Sequence, residues 1–457
     1  MDYSYLIRKF KGQQAKVGVI GATKGYGYTV IAAIKDSPLC FLRFVCSRHP
    51  EECKAALIGL GYDESKINIC LTVEDLKNAK PDQHLVIQDY KLMTETGVDT
   101  VIETTGNTSV GSDATLIALN NGISMCMVSK ETDSICGAYF NHLAEEKGLV
   151  YMLGEGDQPR NLMDLFSWAK VNGMEIVCAG KSSEYDIIYD LKSGDTQYFD
   201  NPVKNIPALK ETWLYEGTET LEKRKALLKD MLYPISADLC EMNLVSNGTG
   251  FTPAAPFMNY PVARINELAN IFIPKEDGGI LEKGQVVDVF YNFRAADEAS
   301  FAGGEFVVVK CENPMIHKLL AEKGHVVSSN GKYMCLYHPY HVLGIQTPSC
   351  IALQHFLGIG GNPDCRQVSV LAGVADRDFK KGESFAVVGH HHEIVGVTPQ
   401  LLERAKLPAT ALPFYVLNNA VATEDIKKGE VLSADKIALD DSAKIPYECY
   451  CKGLELN

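Results

Sequence analysis

Features of membrane and secreted proteins are missing from this chain. No apolar run approaches the ~18 residues that span a bilayer, and residues 1–8 lack the charged-then-apolar order of a secretion signal. The 14 cysteines include no CxxC pair. Cysteines scattered singly through apolar stretches are usually small buried hydrophobes in a reducing compartment. We therefore expect a cytoplasmic protein that does not bind membranes.

An excess of positive charge is missing as well. The 457 residues include 44 Lys and Arg against 58 Asp and Glu, a formal net charge of −14. A nucleic-acid binder needs clustered cations for the phosphates, so this balance argues against that class. The hydrophobic content of 46% is typical of a folded globular protein. Small molecules, anions included, remain as partners because they respond to local charge.

The spacings of a metal site are absent too. Cys449-Tyr450-Cys451 suits neither a zinc knuckle nor a thioredoxin motif. Adjacent side chains on an extended chain point to alternate faces, so the three histidines at 390–392 do not converge on one ion. We predict no resident metal.

The first third of the chain alternates short apolar runs with segments of helical period. This alternation predicts an α/β fold over residues 1–156, a Rossmann-type doubly wound parallel sheet. The runs predicted as strands are 16–20, 41–46, 85–87, 100–103, 123–128 and 149–153.

Two further parts follow. Residues 157–365 mix predicted helices at 157–171 and 219–232 with strands at 174–179, 286–293 and 306–311, which indicates an α+β domain. Residues 366–457 contain short β-like runs around two related stretches, DFKKGE at 378–383 and DIKKGE at 425–430. This last part is predicted to be a small β-rich domain.

A glycine-rich turn ends the first predicted strand and opens a helix. Glycines at such a turn let backbone N–H groups approach a pyrophosphate at the helix N-terminus, which predicts a dinucleotide site. The alternative is a turn that serves only close packing of helix on strand. The residues predicted to bind the dinucleotide are Gly21, Thr23, Lys24, Gly25, Tyr26 and Gly27.

The end of the second predicted strand favours NADP over NAD. NAD sites often place a carboxylate there for the ribose hydroxyl, whereas this strand is followed by Ser47 and Arg48. A guanidinium and a hydroxyl suit a 2′-phosphate. NAD stays possible, because Arg48 is alternatively a solvated loop residue.

The loop after the strand at 100–103 is a second candidate contact for the dinucleotide. Ligands of doubly wound sheets lie beyond the carboxyl ends of the strands. Thr105, Gly106 and Asn107 are therefore predicted to touch its ribose or nicotinamide. An ordinary turn followed by a helix cap at Ser112 or Asp113 is the alternative.

Three ionisable side chains follow predicted strands and are the candidate catalytic groups: Lys130, Asp157 and Lys181. Hydride transfer at a carbinol needs a proton acceptor and a cation or donor for the developing alkoxide. If all three strands belong to the doubly wound sheet, these groups face one crevice. The alternatives are that Asp157 caps the next helix and that Lys130 is a solvated lysine.

Polar residues near these groups are predicted to bind substrate. They lie in the segments that follow the predicted strands or between later apolar runs. For His341, a structural histidine is the alternative. The predicted residues are Glu131, Gln158, Asn247, Thr249 and His341.

An ordered series of motifs resembles a known group of enzymes. The series is GEGDQP at 154–159, VCAGK at 177–181, NGTG at 247–250 and LYHPYH at 336–341. Taken together it resembles the homoserine dehydrogenase-like oxidoreductases that end in a SAF domain, which include the deoxyxylulose-phosphate reductoisomerase-like enzymes. The SAF resemblance rests on residues 376–383 and 423–432.

The resemblance implies an NAD(P)-dependent oxidoreductase of carbohydrate metabolism, forming a homodimer or higher homo-oligomer through its central domain. The substrate would be a small polyol, sugar acid or sugar phosphate, with hydride transfer either alone or coupled to an isomerisation, as in the reductoisomerase-like members. Lys130 would stand near the place of a catalytic lysine of homoserine dehydrogenases. The acidic residues Glu184 and Asp186 replace a basic segment of the group and argue against a phosphorylated substrate.

Two alternatives stay open at this point. One is a true homoserine dehydrogenase, against which the additional C-terminal domain counts. The other is an NADP(H)-binding sensor or scaffold without turnover, against which the ionisable groups after the predicted strands count.

Overall fold

The N-terminal part of the chain is a parallel sheet covered by helices. The computed structural model of the protein describes residues 2–23, 25–233, 236–389 and 392–456. The elements of this part are α1 (Ser4–Lys9), β1 (Ala15–Ile20), α2 (Gly25–Asp36), β2 (Cys40–Cys46), α3 (Pro50–Gly59), β3 (Ile67–Cys70), α4 (Val73–Asn78), β4 (His84–Ile87), β5 (Thr100–Glu103), α5 (Thr108–Asn120), β6 (Ser124–Met127), α6 (Lys130–Glu146), β7 (Tyr151–Leu153) and α7 (Gln158–Val171).

The strand order of this sheet confirms the predicted doubly wound topology. The order is β3-β4-β2-β1-β5-β6-β7, and neighbouring strands pair in parallel. The chain leaves β1 toward β2 and returns on the other side at β5, so the topological switch point lies between β1 and β5. In such sheets ligands bind in the crevice beyond that point.

The central part of the chain forms a mixed sheet. Its elements are β8 (Ile176–Ser182), β9 (Ile187–Tyr189), β10 (Asp195–Tyr198), β11 (Lys204–Asn205), α8 (Thr218–Leu228), α9 (Ser236–Thr249), β12 (Thr252–Pro253), β13 (Val262–Ala263), α10 (Leu268–Ile271), β14 (Val286–Ala295), β15 (Glu305–Lys310), α11 (Pro314–Glu322), β16 (Tyr333–His338) and α12 (Thr347–Leu357).

The order of this second sheet is β11-β10-β9-β14-β8-β15-β16, with β12 and β13 pairing on β14. Parallel pairs such as β8 with β14 occur beside antiparallel pairs such as β8 with β15, which confirms the α+β prediction. The expectation that Lys181 ends a strand of the doubly wound sheet is wrong, because β8 lies in the middle of the second sheet. A buried apolar run gives no information about which sheet it joins.

The C-terminal part is a small antiparallel unit. Its elements are β17 (Ser369–Ala375), β18 (Val387–Val388), β19 (Glu393–Ile394), β20 (Val397–Glu403), β21 (Val421–Ala422), β22 (Ile437–Ala438) and α13 (Lys444–Leu454). The strands form one sheet in the order β17-β20-β19-β18 and a separate pair, β21 with β22.

The two related stretches of this unit bind one another reciprocally. The Nζ of Lys380 contacts Asp425 at 2.8 Å, and the Nζ of Lys427 contacts Asp378 at 2.8 Å. Asp425 also accepts from the backbone N–H of Lys381 at 3.0 Å, and Asp378 accepts from the backbone N–H of Lys428 at 2.9 Å. The repeat in the sequence therefore folds into a local pseudo-twofold.

Two late helices return to the first part of the molecule. Helix α12 packs on α2, β1 and β2, and α13 packs on α5 and α6. The predicted boundary at residue 365 assigns α12 to the central domain. In the structure this helix packs on the first sheet instead. No helix within the described ranges is both long and apolar enough to cross a membrane.

Candidate active site

Two adjoining cavities lie at the carboxyl edge of the first sheet. The outer cavity, of about 660 Å³, is bounded by the loops that follow β1, β2, β4 and β5, and its lining includes Gly21, Arg48 and Asn107. The inner cavity, of about 480 Å³, lies between the first sheet and the second. Tyr26 and Thr104 line both cavities, so the two adjoin at those side chains. Volumes of this size are typical of ligand sites.

The glycine-rich loop shapes the outer cavity. Gly21 and Gly25 have φ values of +93° and +55°, a region that favours glycine. The hydroxyl of Thr104 donates to the carbonyls of Ile20 and Gly21 at 2.9 and 3.0 Å, which holds the loops after β1 and β5 together. The loop thus leads into the N-terminus of α2 at the switch point.

The predicted contacts in this loop divide into two groups. Gly21, Thr23, Gly25 and Tyr26 line the outer cavity. Gly27 is buried, and a Cβ there would lie 2.3 Å from the carbonyl oxygen of Gly21, so it serves the close packing that was the alternative interpretation. Lys24 lies outside the described residues.

Ser47 and Arg48 line the outer cavity after β2. The hydroxyl of Ser47 accepts from the backbone N–H of His49 at 3.2 Å, and Gln88 donates to the carbonyl of Arg48 at 3.2 Å. These contacts order the loop while the Arg48 side chain stays exposed. Asp89, which follows β4, also lines this cavity.

The loop after β5 is held in place by Glu103, the last residue of that strand. This buried carboxylate accepts from the backbone N–H of Thr105 at 2.8 Å and from its hydroxyl. Gly106 donates to the Ser129 hydroxyl at 2.7 Å. Asn107 caps α5 and lines the outer cavity, whereas the helix cap expected at Ser112 or Asp113 is wrong, because both residues lie inside α5.

The inner cavity holds the first turns of two helices. Lys130 and Glu131 begin α6, and Asp157 caps α7 by accepting from the N–H of Gln158 at 3.1 Å. Proline in the first turn of α7 fits the predicted helix start. Lys130, Glu131, Asp157 and Gln158 all line the inner cavity, which brings together residues that lie in separate segments of the chain.

Lys181 lies apart from the cavity linings. Its side chain is fully buried on β8, where its Nζ binds Asp238 at 2.7 Å and also Glu241. The other oxygen of Glu241 binds the Nζ of Lys130. Lys181 and Lys130 are therefore linked through one carboxylate, although the strand that carries Lys181 belongs to the second sheet.

Glu241 is the centre of this cluster and was missed in the sequence. With its nitrogen facing the carboxylate, the Gln158 amide donates to both oxygens of Glu241, at 2.6 and 2.9 Å. Asp238 lies one turn earlier on α9 and accepts from Ser183 at 2.8 Å and Tyr260 at 3.0 Å. Acidic residues three apart on a helix are typical of a solvated face, so their spacing does not indicate that this face is buried.

The electrostatics favour a charged Lys130. Burial disfavours its charge, but Glu241, with Asp157 and Glu131 nearby, outweighs burial and raises the pKa of Lys130 well above its ordinary value. Burial raises the pKa of Asp157, and Lys130 opposes that shift. The pair thus offers a protonated donor beside a carboxylate that accepts a proton more readily than an exposed aspartate does.

His341 and Glu184 complete the polar lining of the inner cavity. The His341 ring packs on Gly303, where a Cβ would lie 2.5 Å from the ring, and its Nδ1 is a buried atom with no hydrogen-bond partner among the described residues. Burial lowers the pKa of His341, with Asp157 opposing. Burial raises the pKa of Glu184, and the charge of Glu241 adds to the effect.

Asn247 and Thr249 lie away from the two cavities, contrary to the predicted substrate role. The Asn247 side chain accepts from the backbone N–H of Ser369 at 2.9 Å and joins α9 to β17. The Thr249 hydroxyl donates to the carbonyl of Val245 at 2.6 Å within its own helix. The NGTG motif therefore marks a helix end and a domain junction.

No cluster of metal-ligating side chains forms among the residues that the structure describes. His390 and His391 of the histidine run lie outside those residues.

Comparison with known proteins gives a family match for the central part. A family model described as the catalytic domain of oxidoreductase DRL matches residues 156–347. The segment includes Asp157, Lys181 and Glu241 but not Lys130. The central part is thus similar to an oxidoreductase catalytic domain. No curated protein matches the chain.

Similarity to solved structures is remote. The 3-ketoreductase KijD10 of Actinomadura kijaniata, solved with TDP-benzene and NADP, is 18% identical over 40% of this chain and 51% of its own, with a TM-score of 0.27. Dihydrodipicolinate reductase of Paenisporosarcina sp. TG-14 is 11% identical over 76% and 96%, with a TM-score of 0.34. Scyllo-inositol dehydrogenase of Lactobacillus casei, solved with NAD(H) and scyllo-inositol, is 11% identical over 77% and 93%, with a TM-score of 0.38. The chain spans about half the length of the first of these.

Proposed function

We propose that the protein is an NADP(H)-dependent oxidoreductase that transfers hydride to or from a small polyhydroxylated substrate, a polyol, sugar acid or sugar phosphate. The observation that carries the proposal is that the two cavities adjoin at Tyr26 and Thr104, which line both. One cavity has the loops of a dinucleotide site at a switch point, and the other has a lysine beside a carboxylate. The match of residues 156–347 to an oxidoreductase catalytic domain supports it.

The residues around the outer cavity fit a dinucleotide. Gly21 and Gly25 carry no side chain, so the backbone of the loop is open to the cavity at the start of α2, where N–H groups attract phosphate. Ser47 and Arg48 offer a hydroxyl and a guanidinium for a 2′-phosphate. Thr105 and Asn107 would lie along the rest of the cofactor. The bound nicotinamide would supply or accept the hydride.

Residues of the inner cavity would handle the substrate oxygen and its proton. The charged Lys130 donates a hydrogen bond to the carbonyl or alkoxide oxygen and stabilises its negative charge. Asp157, whose pKa burial raises, accepts the hydroxyl proton during oxidation and returns it during reduction. Glu131, Gln158 and His341 orient the other hydroxyls of the substrate. Product analysis distinguishes hydride transfer alone from hydride transfer coupled to isomerisation.

Titration with NADPH and NADH, followed by turnover assays, tests the proposal. We expect NADPH to bind more tightly, and a panel of polyols, sugar acids and sugar phosphates to include a substrate that Lys130→Met no longer converts while it still binds NADPH. Failure to bind either nucleotide would refute the proposal. Tight NADPH binding without turnover across the panel would support the sensor alternative, and activity confined to homoserine would support the homoserine dehydrogenase alternative.

The homo-oligomer and the SAF character of the C-terminal unit stay predictions. Light scattering on the purified chain measures the oligomeric state directly. A monomer would contradict the first prediction and leave hydride transfer unaffected.

A further inference from the structure

Lys130 is the last member of a row of alternating charges. The row runs from Asp238 through Lys181 and Glu241 to Lys130, and each neighbouring pair is bonded directly. Asp238, Lys181 and Glu241 have no exposed side-chain surface, whereas Lys130 keeps 21% of its side chain exposed. Only the Lys130 end of the row lies in the lining of the inner cavity.

One helix sets the geometry of the row. Asp238 and Glu241 are three residues apart on α9, so their side chains lie on one face. Ser183 and Tyr260 donate to the Asp238 oxygen that Lys181 does not use. Asp238 is thus held by donors on the second sheet and its loops, and Lys181 joins it to Glu241, the one carboxylate of the row that binds Lys130.

We propose that Glu241 is a positioning residue that keeps the Lys130 ammonium protonated and aimed into the inner cavity, with Lys181 and Asp238 fixing Glu241 instead of touching substrate. The proposal rests on the proposed function, because it gives Lys130 the role of a cationic donor to the substrate oxygen. It also moves Lys181 from the catalytic group, where the sequence placed it, to the support of that group.

The charges that face Lys130 come from several elements. Glu241 faces it from α9, Asp157 from the start of α7, and Glu131 from its own helix. Lys181, Glu184 and the His341 ring belong to the same cluster. Glu241 binds the Lys130 Nζ directly, so its removal is expected to lower the lysine pKa more than the loss of any other carboxylate.

Amine modification of Lys130 tests this without a known substrate. Only the unprotonated amine reacts with an acylating reagent such as sulfo-N-hydroxysuccinimide acetate, and peptide mass spectrometry gives the rate for each lysine. The exposed Lys170 serves as an internal standard. In the parent protein we expect Lys130 to stay unmodified across pH 7–10 while Lys170 reacts progressively.

The informative variants differ in which end of the row they alter. Glu241→Gln should raise the modification rate of Lys130 about tenfold for each unit by which the lysine pKa falls. Lys181→Met/Asp238→Asn removes one charge of each sign and the support that fixes Glu241, but leaves Glu241 on Lys130, so the rate should rise far less than in Glu241→Gln. General loosening of the site would raise the rate in both variants.

Three outcomes would overturn the proposal: an unchanged Lys130 rate in folded Glu241→Gln, an equal rise in the double variant, or ready modification in the parent. If Glu241→Gln does not fold, Glu241→Asp replaces it and should give a smaller rise in the same direction, whereas no rise counts against the proposal. These readouts need neither NADPH nor turnover. Failure here therefore differs from failure of the proposed function, which nucleotide binding and substrate turnover report.

Discussion

Replacement of Lys181 by methionine is expected to destabilise the central sheet strongly. Lys181 has no exposed surface and neutralises two carboxylates that are equally buried. Removal of one partner of a buried ion pair costs about 3–5 kcal/mol, because it leaves uncompensated charge in the interior. With Lys130 as the remaining cation on Glu241, we expect Lys181→Met to lose about 4 kcal/mol of unfolding free energy.

The double variant Lys181→Met/Asp238→Asn separates charge from packing. Methionine keeps most of the apolar stem of lysine, and the asparagine oxygen still accepts from Ser183 and Tyr260, whose hydroxyls lie 2.8 and 3.0 Å from Asp238. Because the change removes one charge of each sign, we expect most of the lost stability to return.

Tryptophan fluorescence in a urea titration measures the effect. Trp213 packs on Phe293 of β14, with ring centroids 5.1 Å apart, so it reports on the sheet that carries Lys181. The half-exposed Trp168 is replaced by phenylalanine in every variant to isolate that signal. If Lys181→Met unfolds at the same urea concentration as the parent, buried charge at this site does not control stability. The same conclusion follows if the double variant is as unstable as the single one.

Further predictions concern the cofactor, one buried acid and the C-terminal repeat. Arg48→Ala should weaken NADPH binding about 10- to 150-fold, since a charge-assisted hydrogen bond contributes about 1.5–3 kcal/mol; an equal loss for NADH in a fluorescence titration would contradict the 2′-phosphate role. Burial raises the pKa of Asp133 to about 6, so the folded state binds its proton more tightly than the unfolded state does. Stability is thus expected to fall by about 3 kcal/mol as pH rises from about 3.9 to that value. Urea titrations across this pH range should show a smaller fall in the free energy of unfolding for Asp133→Asn than for the parent. An equal fall in the two proteins would contradict the raised pKa of Asp133. Asp378→Ala and Asp425→Ala should lower the unfolding temperature equally, because the reciprocal bonds match; calorimetry showing unequal effects would contradict the pseudo-twofold.

Local patterns in the sequence were sufficient to predict most strands of the first sheet. Five of the six predicted strands there agree with the observed ones within one residue at each end, and the sixth, 149–153, includes Tyr151–Leu153. The glycine loop lies at the switch point as expected. The strand Ile67–Cys70 was missed because it is short, only half buried and at the sheet edge. Strand and helix periodicity is a property of neighbouring residues, so it can be found without the fold.

The candidate site was predicted less completely. Lys130 and Asp157 were correctly expected to face one crevice, because both follow strands of the same sheet. Asn247 and Thr249 were placed wrongly, since a polar motif between apolar runs has the same composition at a domain junction as at a site. Glu241 was not considered at all, because its spacing from Asp238 is that of a solvated helix face.

The sequence by itself determined the doubly wound sheet, the glycine loop, the absence of a carboxylate after β2 and the positions of ionisable groups after the strands. Only the tertiary structure decided which of those groups meet. Glu241 is 111 residues from Lys130 and 60 from Lys181, yet it binds both. Contacts across such separations depend on how two sheets and a buried helix pack together. That packing fixes burial, and burial decides whether an acidic residue is solvated or holds a lysine in its charged state.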